Sequence, residues 1–363
     1  MSASRKIDAA VVVAFRRALP AWFRRHRRTL PWRTRRTPYR VWLSELMLQQ
    51  TRVEQALAYF LRFTKRFPNL RALAAADQQD VLKLWEGLGY YSRARRAHQT
   101  ARWLVEKCGG KFPATFEGLL ALPGVGPYTA AAVGSLAFNL DVAVVDGNVE
   151  RVLCRVFAFG GGKQQVQAWA DELLPRGRAG EFNEALMELG ALCCTPRQPD
   201  CPHCPLRKVC RACQENRVEE FPVKAAKKPL PHKIVGAGVI VNNRGEFLIA
   251  RRHEHEMLGG LWEFPGGKQE PGETMEQCIA RELVEELGIH VCVGPCLTVV
   301  HHAYSHFTIA LHAHWCRISS GRPKNVQCLD SAWVPFSKLR KKPFSRADLH
   351  IIEALRGVHP PEF

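Results

Sequence analysis

The string Ala121-Leu-Pro-Gly-Val-Gly-Pro-Tyr-Thr-Ala130, followed at 144–148 by Val-Val-Asp-Gly-Asn, restricts the possible folds of this chain more than any other stretch. Pro123, Gly124 and Gly126 interrupt an apolar helical pattern, so the backbone must turn sharply and restart as a helix through Tyr128, Ala132 and Leu136. That is a helix-hairpin-helix spanning about residues 115–136. The turn leaves the backbone N–H groups around Gly124, Val125 and Gly126 uncovered at a helix N-terminus, where aligned peptide dipoles favour an anion such as a DNA phosphate. A bare Gly-x-Gly reads as well as a plain turn between core helices; the full string favours the phosphate. Asp146 follows the apolar run 142–145 and opens a helix with Val149, Val152, Leu153 and Val156 on one face, a place where a carboxylate suits a helix cap.

A second helical pattern runs from Tyr39 to Phe67 and contains Trp42-Leu-Ser-Glu-Leu-Met-Leu-Gln-Gln-Thr51. Glu45 shares a face with Trp42 and Gln49, among side chains that otherwise read as core. Burial disfavours the ionised form, so a glutamate placed there stays partly protonated near neutral pH and suits general-acid work. Upstream, residues 8–27 predict one amphipathic helix ending in Arg24-Arg-His-Arg-Arg28, with Trp32, Arg33, Arg35, Arg36 and Tyr39 close behind. Basic residues interleaved with aromatics predict an edge that tracks phosphates. Downstream, Trp85-Glu-Gly-Leu-Gly-Tyr-Tyr-Ser-Arg predicts a glycine-rich turn into a basic helix capped by Ser92.

The formal net charge of +18 over 363 residues calls for a polyanionic partner, and by itself does not separate nucleic acid from an anionic membrane. The apolar stretch from Ala9 to Phe15 stops at Arg16-Arg17, too short for a signal segment or a membrane span. A soluble, intracellular monomer is expected.

Cys194, Cys201, Cys204 and Cys210, separated by six, two and five residues, lie in one short proline-rich loop. In a reducing compartment this predicts a metal site rather than disulfides, and by spacing alone a zinc ion held by four cysteines. Cys193 and Cys213 fall outside the pattern and read as bystanders, while Arg197, Arg207, Lys208 and Arg211 suggest contact with a nucleic-acid backbone.

Residues 214–232 carry no periodic apolar pattern and predict a linker, dividing the chain into domains 1–213 and 233–363. In the second domain, Asn242-Asn-Arg-Gly245 between two apolar runs predicts a hairpin. Thr274 and Gln277 predict a capping box, and Gly288 a helix end. Between them Glu282, Glu285 and Glu286 place three like charges on one helix face, costly unless a hard cation such as Mg²⁺ sits there. A solvated acidic face is the plainer reading.

Leu-Pro-Gly-Val-Gly with the later Val-Asp-Gly-Asn-Val resembles the DNA glycosylase superfamily that contains endonuclease III. Tyr128 stands where bifunctional members carry a lysine nucleophile, which points to the monofunctional MutY family of adenine glycosylases. The resemblance implies an all-α helix-hairpin-helix domain followed by an α/β Nudix-fold domain, and hydrolysis of the glycosidic bond of adenine mispaired with 8-oxoguanine or guanine in duplex DNA. It makes Glu45 the acid and Asp146 the group facing the sugar, oriented by Tyr128 and Asn148. It places Arg33 near the flipped base and Gln50 and Tyr90 as wedge residues. It turns the cysteine loop 194–210 into the ligands of a 4Fe–4S cluster. Within 262–289 every fixed position of the Nudix box is present, closer to MutT than to a usual MutY tail, whereas Tyr304-Ser305-His306 resembles the loop with which MutY tails contact 8-oxoguanine. Lesion recognition is the expected role of this domain. Mg²⁺-dependent hydrolysis of 8-oxo-dGTP stays open, alone or beside adenine removal, as does a strand-cleaving glycosylase. The likeness also implies a cytoplasmic, nucleoid-associated bacterial protein.

Overall fold

The computed structural model describes residues 7–223 and 229–362. They form two compact units, one of residues 7–75 and 99–223, the other of 76–98 and 229–362.

The first unit is helical. Its N-terminal stretch is not one regular helix: a π-helical turn, Ala14–Ala18, separates α-helices Ala9–Val13 and Leu19–His26 while Phe15, Leu19 and Phe23 still face the core. The single helix expected over 39–67 is also two, Pro38–Leu48 and Val53–Arg66. No glycine or proline marks the break. Gln50 takes a left-handed conformation (φ 56°), and the Gln49 side-chain amide is held by the Thr129 hydroxyl at 3.3 Å. The apolar period resumes beyond it at Ala56, Phe60 and Phe63, which is why the break is silent in the sequence.

Gly126 caps the helix Pro127–Phe138, proline occupies its first turn, and left-handed Asn139 ends it. Small residues along this helix let neighbours come close: a Cβ on Gly180, in the helix Ala179–Leu192, would meet the Ser135 carbonyl at 2.8 Å. On the same helix a Cβ on Gly190 would meet the Asn148 Cβ at 2.6 Å. The run 142–145 is neither helix nor strand, and buried Asn183 satisfies it by accepting from the Val144 N–H and donating to the Val142 carbonyl. Residues 214–223, read as part of the linker, include Phe221 buried in this unit's core.

The second unit has seven strands: β1 His232–Ile240, β2 Glu246–Arg251, β3 Trp262–Glu263, β4 Gly266–Lys268, β5 His290–Ala303, β6 Thr308–Ser320 and β7 Asp330–Pro335. They form a mixed sheet β4-β1-β6-β5, in which β1 and β6 run parallel, and an antiparallel sheet β3-β2-β7. The expected hairpin between β1 and β2 is therefore corrected. Residues 242–245 do turn, closed by the Asn242 N–H donating to the Glu246 carbonyl at 3.0 Å and by an antiparallel bridge between Val241 and Phe247, but beyond it the strands join different sheets. Alternation explains the layers: Ile309, Leu311, Ala313 and Trp315 pack toward Ile351 and Ile352 of the helix Arg346–Ala354. Ile240, Leu248 and Cys316 pack against Ile279, Leu283 and Leu287 of the helix Met275–Leu287, which has the predicted capping box and the left-handed Gly288.

Residues 76–98 group with this unit through Trp262 Nε1–H to Gln79 Oε1 (2.8 Å), the Phe344 N–H to Glu86 Oε1 (2.9 Å) and Arg95 Nη1 to the Gly259 carbonyl (2.6 Å).

Because Gly190 has no room for a side chain, Gly190→Ala should cost the helical unit about 1–3 kcal/mol. Chemical denaturation followed by circular dichroism checks this; an unchanged midpoint would mean that the neighbouring helices part without cost.

Candidate active site

Glu45 lies on the third turn of Pro38–Leu48 with Trp42, Leu43, Leu46 and Met47 buried around it, and is itself only 6 % exposed. Tyr128, on the first turn after the hairpin, donates its hydroxyl to Glu45 Oε2 at 2.8 Å. Burial, and less strongly the charges of Asp146 and Glu184, push the Glu45 carboxyl up to about 7, although the Tyr128 bond works the other way. Burial and then the Glu45 charge hold the Tyr128 phenol above its usual range.

Asp146 is the cap of Gly147–Phe157, and its Oδ1 accepts from the Asn148 and Val149 N–H groups at 2.9 and 2.7 Å. The cap and a site role coexist, because the carboxylate also lines the cavity. Its Oδ2 accepts from Asn148 Nδ2 at 2.8 Å. Asn148 is set in turn by Arg151, which reaches its Oδ1 at 2.9 Å and the Gly190 and Cys194 carbonyls at 2.7 and 2.8 Å. Thus Asn148 orients Asp146, whereas Tyr128 holds Glu45 rather than Asp146. Glu45, Tyr128, Asp146 and Asn148 line one cavity of about 570 Å³, together with Arg33, Gln50 and Met187.

The arginine run is not the uniform phosphate-tracking edge that its composition suggests. Arg33 turns inward and binds Glu184 (3.2 Å) and Glu188 (3.0 Å). Arg28 joins Glu188 at 2.8 Å and Arg36 joins Glu184 at 2.6 Å. Burial opposes the charge on Glu188, yet bonds from Arg28 and Arg33 hold its carboxyl down to about 2. Arg25, Arg27 and Arg35 remain exposed. At the hairpin tip Gly124 (φ 71°) and Gly126 are exposed while Val125 is buried beneath them.

Cys194 follows the end of Ala179–Leu192, and Cys201, Cys204 and Cys210 lie near enough for their charges to act on one another and on Cys194. Burial, and then the charges that Cys194, Cys213 and Cys204 would carry, push the Cys210 thiol up to about 12. Arg155, 2 % exposed, donates Nη1–H to Cys194 Sγ at 3.3 Å, so a buried cation stands beside the sulfurs. As the side chains stand, no group of three or more His, Cys, Asp or Glu among the described residues is arranged to hold a single metal ion. The donor chemistry suits an anionic, sulfur-ligated group: four thiols in one another's field, a guanidinium against one of them, and apolar Leu206 and Ala212 buried nearby.

In the second unit Tyr304, Ser305 and His306 form the tip between β5 and β6, closed by the Tyr304 N–H donating to the Phe307 carbonyl at 2.8 Å. The residues are turn rather than strand. Tyr90, left-handed at φ 49° and 37 % exposed, hydrogen-bonds through its hydroxyl to Ser305. Two residues from distant parts of the sequence therefore meet. Glu282 and Glu286 line a cavity of about 310 Å³ with Lys233, Arg252 and Asp348, and Glu285 lies outside it. Arg281 bonds Glu282 and Glu285 at 2.9 and 3.2 Å, and the Gly266 N–H donates to Glu286 at 3.1 Å. Burial is the main cause of a raised Glu286 carboxyl.

Residues 43–176 match the HhH-GPD superfamily of base excision DNA repair proteins, and residues 236–354 match the NUDIX domain. The adenine DNA glycosylase of Homo sapiens is 34 % identical over 418 residues, covering 97 % of this chain and 76 % of the human one. The chain belongs to the adenine DNA glycosylase family. The adenine DNA glycosylase of Buchnera aphidicola from Acyrthosiphon pisum is 35 % identical over 298 residues, covering 80 % of this chain and 83 % of that protein. Among solved structures, a thermostable thymine-DNA glycosylase aligns with a TM-score of 0.53 at 30 % identity, covering 57 % of this chain and 100 % of its own. The glycosylase is thus a base-excision-repair hydrolase of N-glycosyl bonds, a helix-hairpin-helix fold followed by a Nudix domain. Among the described residues no helix is long and apolar enough to cross a membrane.

Sequence reasoning missed Glu184, Glu188 and Arg151. Glu184 and Glu188 stand at i and i+4 on a largely apolar helix, a signal for buried acids that pair with distant cations. Arg151 carries no signal beyond lying one turn after Asn148.

The Glu45 carboxyl of the free glycosylase should titrate near pH 7. Tyr128→Phe should move it higher, because the lost bond favours the charged form; ¹³C-carboxyl NMR reads both, and titration in the ordinary range near 4.5 would exclude an enclosed acid.

Proposed function

We propose that this glycosylase removes adenine opposite 8-oxoguanine or guanine in duplex DNA by hydrolysis alone, without cleaving the strand. The observation that carries the reading is a buried, raised carboxyl and a capped carboxylate on the wall of one cavity. Two carboxyls in unlike surroundings divide the work as in glycosidases. Glu45, still partly protonated at neutral pH, gives its proton to N7 of the flipped purine. Asp146, tied by three hydrogen bonds, stays opposite the sugar and stabilises the positive charge that develops as the base departs. Water then completes hydrolysis. Tyr128 supplies no amine, so no Schiff base forms. Tyr128 and Asn148 position the two carboxyls, and Arg33 serves the base end of the cavity.

For binding, the N–H groups at Gly124, Val125 and Gly126 take a phosphate, and Gln50 and Tyr90 fill the gap left by the extruded base. Both wedge residues are left-handed and exposed, the strained and accessible backbone typical of functional positions. Tyr304, Ser305 and His306 read the opposite base, supported by the Tyr90–Ser305 bond. The protein acts as a monomer. Cys194, Cys201, Cys204 and Cys210 would hold a 4Fe–4S cluster, which serves the architecture of the loop because base removal needs no electron transfer.

Glu45→Gln should lower adenine release by about 10²–10⁴-fold while binding to the mispaired duplex survives. In the parent protein the single-turnover rate should be level below pH 7 and fall about tenfold per unit above it, since the acid must be protonated. A rate that rises through that window would sink the assignment, and borohydride trapping of a covalent adduct would point to strand cleavage.

A second reading rests on Glu282 and Glu286, which share their cavity with two cations suited to phosphates, Lys233 and Arg252. With Glu285, these glutamates would hold Mg²⁺ for hydrolysis of 8-oxo-dGTP. The full chain should then turn over 8-oxo-dGTP with Mg²⁺ and lose this activity on Glu286→Gln. No turnover would leave the domain to lesion recognition alone.

A further inference from the structure

Two adjacent glycines, Gly259 and Gly260, lie buried in the loop between β2 and β3, outside both the base-removal cavity and the Nudix cavity. The loop closes on itself: the Gly260 N–H donates to the Arg252 carbonyl and the Arg252 N–H to the Leu261 carbonyl, both at 3.0 Å. A Cβ on Gly259 would meet the His253 carbonyl oxygen at 2.4 Å, and Gly260 is left-handed (φ 78°) with Leu82 Cδ1 3.2 Å from where its Cβ would stand. The corner is gripped from two sides. Gln79, in the helix Gln78–Trp85, donates Nε2–H to the Gly260 carbonyl at 2.9 Å while its Oε1 accepts from Trp262 Nε1–H at 2.8 Å. Arg95, in the helix Ser92–Cys108, donates to the Gly259 carbonyl at 2.6 Å. These two helices flank the turn that carries Tyr90, so both ends of that turn are fixed to one loop. The same loop puts Met257 and Leu258 on the wall of a cavity of about 400 Å³, which Tyr90, Tyr304, Ser305 and His306 also line.

We propose that Gln79 is a positioning residue for recognition of the base opposite adenine: by joining Trp262 to the Gly259–Gly260 corner it holds Tyr90 where the phenol meets Ser305. This rests on the reading of Tyr304, Ser305 and His306 as the tip that contacts the lesion. Tyr90 is left-handed and partly exposed, a conformation that persists only where its surroundings impose it. Its own bond to Ser305 is a single contact. The anchors on the flanking helices supply the remaining order, and Gln79 is the one that uses a donor and an acceptor at once. Gln79 lies outside the cavity that holds Glu45 and Asp146, so its loss should act on the preference between opposite bases rather than on bond cleavage.

The test measures single-turnover adenine release opposite 8-oxoguanine and opposite guanine in the full-length parent, Gln79→Leu, Ser305→Ala and the double variant. The parent should react faster with the 8-oxoguanine duplex. Gln79→Leu should shrink that preference about threefold to tenfold, the effect of one or two lost hydrogen bonds, with the rate opposite guanine nearly unchanged. Because Gln79 acts through the contact between Tyr90 and Ser305, adding Gln79→Leu to Ser305→Ala should cost little more. A preference left intact in Gln79→Leu, whether at full rate or with both rates lowered together, overturns the role of Gln79, and so do additive losses in the double variant. Should Gln79→Leu not fold, Gln79→Glu takes its place: its carboxylate still accepts from the Trp262 indole but cannot donate to Gly260, and an unchanged preference there overturns the role as well. A parent protein that does not distinguish the two duplexes overturns the lesion reading on which the role rests.

Discussion

Removing one carboxyl from water is the constraint on which the active site depends. Glu45 sits on a helix whose other residues around it, Trp42, Leu43, Leu46 and Met47, are core, so its charged form loses solvation that nothing nearby fully restores. Tyr128 supplies a single hydrogen bond, too little to bring the carboxyl back to its ordinary range. The hairpin and the small-residue helix behind it serve this arrangement. Proline in the first turn starts that helix at the place which brings Tyr128 to Glu45, and its small side chains let the neighbouring helices close around the cavity.

The opposite treatment is given to the acids below. Glu188 is as inaccessible as Glu45, yet two guanidiniums hold it fully ionised. A proton near neutral pH is thus kept for one carboxyl by withholding cations from it, while Arg28, Arg33 and Arg36 are spent on Glu184 and Glu188. Asp146 takes a third course. Backbone N–H groups and Asn148 stabilise its anion, and Arg151 ties that amide to the carbonyls of Gly190 and Cys194, so the geometry at this carboxylate is continuous with the start of the sulfur loop.

In the second unit, the Nudix fold holds two sets of residues at once. The box helix keeps its glutamates against β4, and the β5–β6 tip lies against Tyr90. Both are built on rigid parts, the helix by its capping box and left-handed glycine end, the tip by the long pairing of the two strands below it.

Much of this was legible in the order of residues. Glycine and proline spacing marks the hairpin, and Glu45 lies on a face whose period already says core. Asp146 follows an apolar run at a helix start, and the four cysteines are counted off by their intervals. These signals are local, set by backbone conformation and side-chain period within a few residues. What only the tertiary structure decided involves partners far apart in the chain. Arg33 looks like part of a basic edge until Glu184 and Glu188 arrive from more than a hundred residues away. The helix break at Gln50 leaves the apolar period intact, and the turn at 242–245 sends its strands into separate sheets because β6 and β4 claim both edges of β1. Tyr128 could be placed by motif, but that its hydroxyl goes to Glu45 and not to Asp146 follows from how two helices pack, which no one-dimensional spacing encodes.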